Sequence, residues 1–151
     1  MYNYFKVGEE SQWTSLDIEG GFPIIDINCV NKFIPQEVNL MQFKAINFKK
    51  GCYQGQEIIA KTKFKNINRK NMYLLIGKSE RLPLSGEVIE MKYKNFWKKI
   101  GQVLISVRKT KEEIWIQSIL RSNLLYTNVF RVEKDPNRLF YIDKNFSYTN
   151  K

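Results

Sequence analysis

Nine consecutive residues, Lys49-Lys50-Gly51-Cys52-Tyr53-Gln54-Gly55-Gln56-Glu57, bring together a thiol, two glycines, two amides and a carboxylate. No other window of the sequence holds as much chemistry per position. Two lysines precede the cysteine and the aliphatic Ile58-Ile59-Ala60 follows it. This pattern predicts a tight glycine turn feeding a short helix near Tyr53 or Gln54. A thiol there would lie close to the N–H groups of a helix start and to the ammonium groups of Lys49 and Lys50, all of which favour thiolate. Cys52 is therefore a candidate reactive or regulatory cysteine. Free cysteine is also a common small packing residue, and the local pattern leaves both readings open.

The rest of the composition narrows the chemistry. Histidine is absent, and Cys29 and Cys52 are the only cysteines. Neither has a partner at metal-ligand spacing, so no metal site held by this chain alone is expected. Nucleophilic catalysis with a histidine base is excluded for the same reason. The formal charge of +10 points to phosphate-bearing partners. Lysine greatly outnumbers arginine, and isoleucine and asparagine are heavily used, as A/T-rich coding produces on solvated surface, so charge alone does not single out nucleic acid.

A chain of 151 residues with 43% hydrophobic and 14% aromatic residues can build one ordinary domain or two small ones. No apolar run has the length of a membrane span, and Met1 to Lys6 lack the pattern of a signal peptide, so a cytoplasmic protein is expected. Met1 to Glu10 read as a strand remnant or frayed terminus. Ser11 is a suitable N-cap for a short helix over 12–19, closed by Gly20-Gly21, with Trp13, Leu16 and Ile18 toward its buried side. Phe22 to Ile27 form a β-prone run, followed by turn chemistry from Asn28 to Lys32. In Phe33 to Met41, Pro35 suits a first helical turn, Val38 and Met41 are spaced to bury, and Gln36 and Asn39 are amides that could face a ligand or simply solvent.

Lys61, Lys63, Lys65, Arg69 and Lys70 surround Phe64 with no acidic residue among them. The stretch reads either as a solvated connector or as a phosphate-facing arm with a ring for stacking. Beyond Asn71 the pattern changes to short β-prone segments near 72–77, 87–92, 100–108, 114–120, 129–133 and 139–142. The breaks between them fall at 83–86, 94–95, 109–112, 122–128 and Asp135-Pro136-Asn137. Six short strands at this spacing predict a small antiparallel barrel. The boundary with the first part is placed near Asn66 to Asn71.

Lys50-Gly51-Cys52-Tyr53-Gln54-Gly55-Gln56-Glu57 resembles the signature Lys-Gly-Cys-(Phe or Tyr)-x-Gly-Gln-Glu of the YgfZ family. The resemblance continues upstream in Gly21 to Asp26, Phe33 to Gln36 and Asn39-Leu40. Downstream it takes in Lys63-Phe64, Arg81-Leu82-Pro83, Trp97 with Gly101, and Phe130-Arg131-Val132. It implies an α+β chain: residues 1–67 as a fragment of a ferredoxin-like α/β domain of the folate-binding type, residues 68–147 as the antiparallel β-barrel, and 148–151 as a tail. It also implies a fold related to the glycine-cleavage aminomethyltransferase, a tetrahydrofolate-type ligand, and support of iron-sulfur enzymes and of tRNA modification, more as an accessory factor than as an enzyme.

Position by position, Cys52 matches the signature cysteine and Trp13 a tryptophan at the folate site. Lys50, Gly51, Tyr53, Gly55, Gln56 and Glu57 complete the signature. Gln54 and Lys61 depart from it, standing where a small or β-branched residue and an arginine are usual. Members of the family are about twice as long, and Met1 aligns with the middle of the usual chain. Half of the folate pocket is thus expected elsewhere, whether in a separate N-terminal half or lost, and folate binding by this chain alone is expected to be weak. Three other readings remain: a basic barrel that contacts tRNA through Lys61, Lys63, Lys65 and Arg69 and through Lys92 to Lys99; a folate-dependent aminomethyltransferase; and a remnant without function.

Overall fold

In the computed structural model of the protein, residues 8–47, 51, 55, 57–59 and 69–144 are described. The second part is a closed antiparallel barrel built from β1 (Lys70–Lys78), β2 (Val88–Tyr93), β3 (Phe96–Arg108), β4 (Glu113–Arg121), β5 (Val129–Val132) and β6 (Asp135–Ile142). The strand order is β1-β4-β3-β2-β5-β6, and β1 pairs with β6 to close it. All six expected strands are present. Four begin earlier than expected, β1 and β4 by one or two residues and β3 and β6 by four: β3 starts at Phe96, and β6 takes in Asp135-Pro136-Asn137, which reads as a break in the sequence. Residues 136–139 are exposed and have no Cα partner in either neighbouring strand, where proline's missing N–H costs no ladder bond.

Alternation along the strands sends Tyr73, Leu75, Ile89, Val103, Ile116, Phe130 and Phe140 into one interior core. The outer face of the barrel is apolar as well on β1, β4 and β3. Strand β4 is buried from Ile114 to Leu120 without interruption, because residues 8–47 lie over its outside. Two external clusters make this contact. Ile18 joins Leu74, Val107 and Trp115, while Cys29 and Val38 join Met72, Leu104 and Ile119.

The covering segment differs from its sequence reading in three respects. Helix α1 spans Glu10–Glu19 with Glu9, not Ser11, as its N-cap; the Glu9 N–H donates to Gln12 Oε1 at 3.3 Å. Its buried side is Ser15 and Ile18, and Trp13 and Leu16 are exposed. At about 100° per residue, Ile18 lies roughly 140° around the helix from Trp13, so the two cannot share one face. Phe22 to Ile27 form no strand: their backbone groups bond a side-chain amide of the barrel instead, and Ile27–Cys29 close into a 3-10 turn. Residues 35–44 are a succession of turns in place of a helix, with Asn39 and Lys44 in left-handed backbone (φ 64° and 51°). Val38 is buried as expected and Met41 half-buried. Among the described residues of 1–67 there are α1, a helical turn at 57–59 and no strand, so they do not show the ferredoxin-like fragment.

Candidate functional site

Lys50, Cys52, Tyr53, Gln54 and Gln56 of the signature lie outside the described residues, as do Lys61, Lys63, Phe64 and Lys65 of the basic stretch. Gly51, Gly55 and Glu57 are described, and all three are exposed. Gly55 has φ +85°, a conformation that favours glycine, and its carbonyl accepts from the N–H groups of Ile58 (3.2 Å) and Ile59 (3.3 Å). The described part is thus a left-handed glycine opening a helical turn at 57–59, three to four residues beyond the start near Tyr53 or Gln54 that the sequence predicts.

The amides near the signature bind backbone. Gln36 Nε2 donates to the Ile59 carbonyl at 2.7 Å, and Asn39 Nδ2 donates to Gly21 O at 3.2 Å. Gln117, fully buried on the outside of β4, donates from Nε2 to Phe22 O (2.8 Å) and accepts from the Ile24 N–H (3.1 Å). These contacts tie the turn after the signature, the loop at 35–44 and the segment Gly21 to Ile24 to the barrel wall. A ligand-facing role for Gln36 and Asn39 is replaced by this one. The Cys29 thiol is buried against Ser85 Oγ (3.3 Å) and the Val103 carbonyl (3.4 Å), a packing position.

Trp13 projects from α1 with 70% of its surface exposed, next to Leu16 at 58%. Beside Leu16, a cleft of about 710 Å³ opens between α1 and the β3–β4 turn, lined by Gln12, Ser15, Arg108, Lys109 and Lys111. Trp13 supplies a flat ring of the kind a pterin or aminobenzoyl group needs. The described residues leave that ring open, and they do not enclose a small ligand.

Barrel residues singled out in the sequence have defined structural partners. Arg131 lies 4.3 Å over the Trp97 ring and pairs with Glu90 at 2.8 Å. Gly101 packs so tightly that a β-carbon there would collide with the Ile119 carbonyl. Arg81 forks onto the buried Glu87, which Lys134 also approaches at 3.6 Å. Burial pushes the Glu87 carboxyl up, but the Arg81 guanidinium, the Leu84 backbone and the Lys134 charge outweigh it and hold the group below its ordinary range.

The other end of the barrel is basic and aromatic. Lys70 pairs with Arg121 in register, so the stretch ending at Arg69 enters the barrel at the end where β4 leaves. The β2–β3 hairpin extends past this end, since Gly101 is level with Leu120 and Phe96 lies five residues further out. Tyr93 and Phe96 face each other across the two-residue turn Lys94-Asn95, ring centroids 5.3 Å apart. Both rings are about half exposed (48% and 52%).

Residues 68–135 match the family described as "YgfZ, beta-barrel domain". The barrel belongs to that family. Over 134 residues the chain is 39% identical to "tRNA-modifying protein YgfZ" of Escherichia coli O139:H28 (strain E24377A / ETEC). That alignment covers 89% of this chain and 41% of the relative, in its C-terminal part, so the chain spans about two-fifths of the length of the relative it matches. In the barrel Arg81 and Arg131 are held in ion pairs, Trp97 packs under Arg131, and Gly101 admits the close approach of β3 and β4. Sequence reasoning missed the Gln117 clamp, for which a glutamine in an apolar strand was the available signal, and the Tyr93–Phe96 pair, for which two aromatics flanking a two-residue turn were.

Proposed function

We propose that the chain acts as a YgfZ-like accessory factor supporting tRNA modification, without a reaction of its own. The finer reading is a cytoplasmic protein linked to a reduced folate that serves the assembly or repair of iron-sulfur enzymes on which such modifications depend. Similarity to a tRNA-modifying YgfZ protein over 89% of the chain carries the proposal. The signature around Cys52 supports it, as does the exposed indole of Trp13 as a folate face. Within it, residues 1–67 are part of a folate-binding, ferredoxin-like domain whose remaining part lies in the longer relatives' first portion. Residues 68–147 are the barrel and 148–151 a tail. Cys52 has the functional role, with Lys50, Gly51, Tyr53, Gly55, Gln56 and Glu57 shaping its turn.

The test is complementation in a strain lacking the YgfZ-type protein, with thiolated tRNA nucleosides measured by mass spectrometry. The parent chain is expected to raise these nucleosides and Cys52→Ala to fall back to the level of the empty strain. A Cys52→Ala chain that restores them as well as the parent would make the cysteine structural.

A further inference from the structure

Among the described residues, the strongest unassigned surface is the β2–β3 hairpin where it overhangs the barrel. Its nine residues Met91 to Lys99 hold four lysines and three aromatic rings. The pairing divides them between two faces. Glu90, Lys92, Trp97 and Lys99 share one face through the pairs Glu90↔Lys99 and Lys92↔Trp97, and most of its charge is compensated: Arg131 holds Glu90, and Lys99 holds Glu133 at 2.6 Å. Alternation places Met91, Tyr93, Phe96 and Lys98 on the other face, the one continuous with the barrel interior, against which Met91 packs.

On that second face Tyr93 and Phe96 stand half exposed over the open barrel end, with Lys98 beside them and Lys94 at the apex. Neither Lys94 nor Lys98 forms an ion pair with a described residue; Lys94 lies over the Tyr93 ring at 5.9 Å. Two rings side by side with uncompensated lysines around them match the chemistry of an unpaired nucleotide: a base offers a π-face and the backbone offers phosphates on either side. A lipid surface is a poorer match. The residues that reach furthest are Lys94 and Asn95, both polar, whereas a membrane-inserting tip leads with apolar side chains. The cleft at the opposite barrel end also carries Lys78, Arg108, Lys111 and Arg138, but Glu112 and Glu80 neutralise two of these and backbone carbonyls occupy Arg108.

We propose that this overhang is an RNA-contact surface, on which Tyr93 and Phe96 stack an unpaired base and Lys94 and Lys98 meet the flanking phosphates. The proposal rests on the tRNA-modification reading for the kind of RNA. Arg69, exposed where the basic stretch enters the same barrel end, lies on the continuation of this surface.

The experiment is fluorescence anisotropy of the full chain with a labelled tRNA transcript, a labelled single-stranded oligouridine and a labelled blunt RNA duplex, repeated between about 50 and about 200 mM salt. The single strand and tRNA are expected to bind with strong salt dependence, and the duplex more weakly. Tyr93→Ala/Phe96→Ala should weaken binding about tenfold or more, the scale of losing base stacking. Because the ring pair also stabilises the hairpin, Lys94→Gln/Lys98→Gln is the second variant: it keeps the rings and should reduce the log-log salt slope by about 1.5. Lys111→Gln/Arg138→Gln, at the opposite end, should bind as the parent does.

Absent or salt-independent binding overturns the proposal. So does parental binding by both hairpin variants, equal binding of duplex and single strand, or binding to phosphatidylserine vesicles that RNA does not displace. Those outcomes leave the tRNA-modification role standing, because that role fails by a different readout: unchanged thiolated nucleosides when the gene is removed.

Discussion

A carboxylate whose side chain is 4% exposed stays charged at Glu87 because Arg81 and Lys134 surround it. Its carboxyl is held below the ordinary value of 4.5, so the folded protein binds the proton less readily than the unfolded chain does. The stabilisation from this pair is therefore complete above about pH 5, and it is lost as pH falls through the folded-state value. Urea denaturation at steps from neutral pH to about pH 3 should show the parent losing stability across that acid limb. Glu87→Gln should be less stable at neutral pH by about 1–3 kcal/mol, the scale of hydrogen bonds to a charged group, and should lose less on acidification. An acid limb unchanged in Glu87→Gln would assign the effect to other carboxylates. Nothing around Glu87 in the sequence announces this, since Arg81 and Glu87 meet only when the loop between β1 and β2 folds back.

Strand β3 shows how far an element can be read locally and where that stops. Its apolar alternation and the turn at Lys94-Asn95 are visible in the sequence, and the strand is there. Its extension to Phe96 is not, because Phe96-Trp97-Lys98-Lys99 is two aromatics followed by two lysines, with no apolar alternation and no buried face of its own, and pairing with β2 holds it. Gly101 is required by its surroundings: β3 and β4 approach so closely there that any side chain strikes the Ile119 carbonyl and the Leu120 side chain. Gly101→Ala is expected to cost about 1–3 kcal/mol in chemical denaturation, as overpacking does. An alanine chain as stable as the parent would show that the two strands can separate at this point. Helix α1 carries the opposite lesson. Its position is legible from its flanks, but Ser15, a small polar residue, turns out to mark the side that approaches the barrel, with its hydroxyl returned to the Ser11 carbonyl at 2.7 Å.

At the scale of the molecule, a barrel has one face wrapped by residues 8–47 while the same segment turns Trp13, Leu16, Ile25, Ile27 and Val30 outward. Against the described residues, a folate proposed to sit on Trp13 would have its ring covered on one side and most of its surface left open, and small ligands bind tightly only when most of their surface is enclosed. Titration with tetrahydrofolate, followed by tryptophan fluorescence and compared with Trp13→Phe, is expected to show weak or no saturation. Micromolar or tighter saturation would show that this chain builds the pocket by itself.

By itself the sequence determined the six strands, every turn between them but the last, the barrel class and the signature that points to the YgfZ family, because alternation, turn residues and contiguous motifs are local properties of a chain. Only the tertiary structure decided which side of α1 is buried, where the amides of Gln36, Asn39 and Gln117 go, and that the entry of the basic stretch and the β2–β3 overhang occupy one end of the barrel. Those outcomes depend on which surface comes to cover which: Gln117 replaces a strand partner for Phe22 and Ile24 from 93 residues away at Ile24. A β-prone run whose hydrogen bonds are met by a distant side chain has no reason to form a sheet, and no local pattern records that its bonds are already taken.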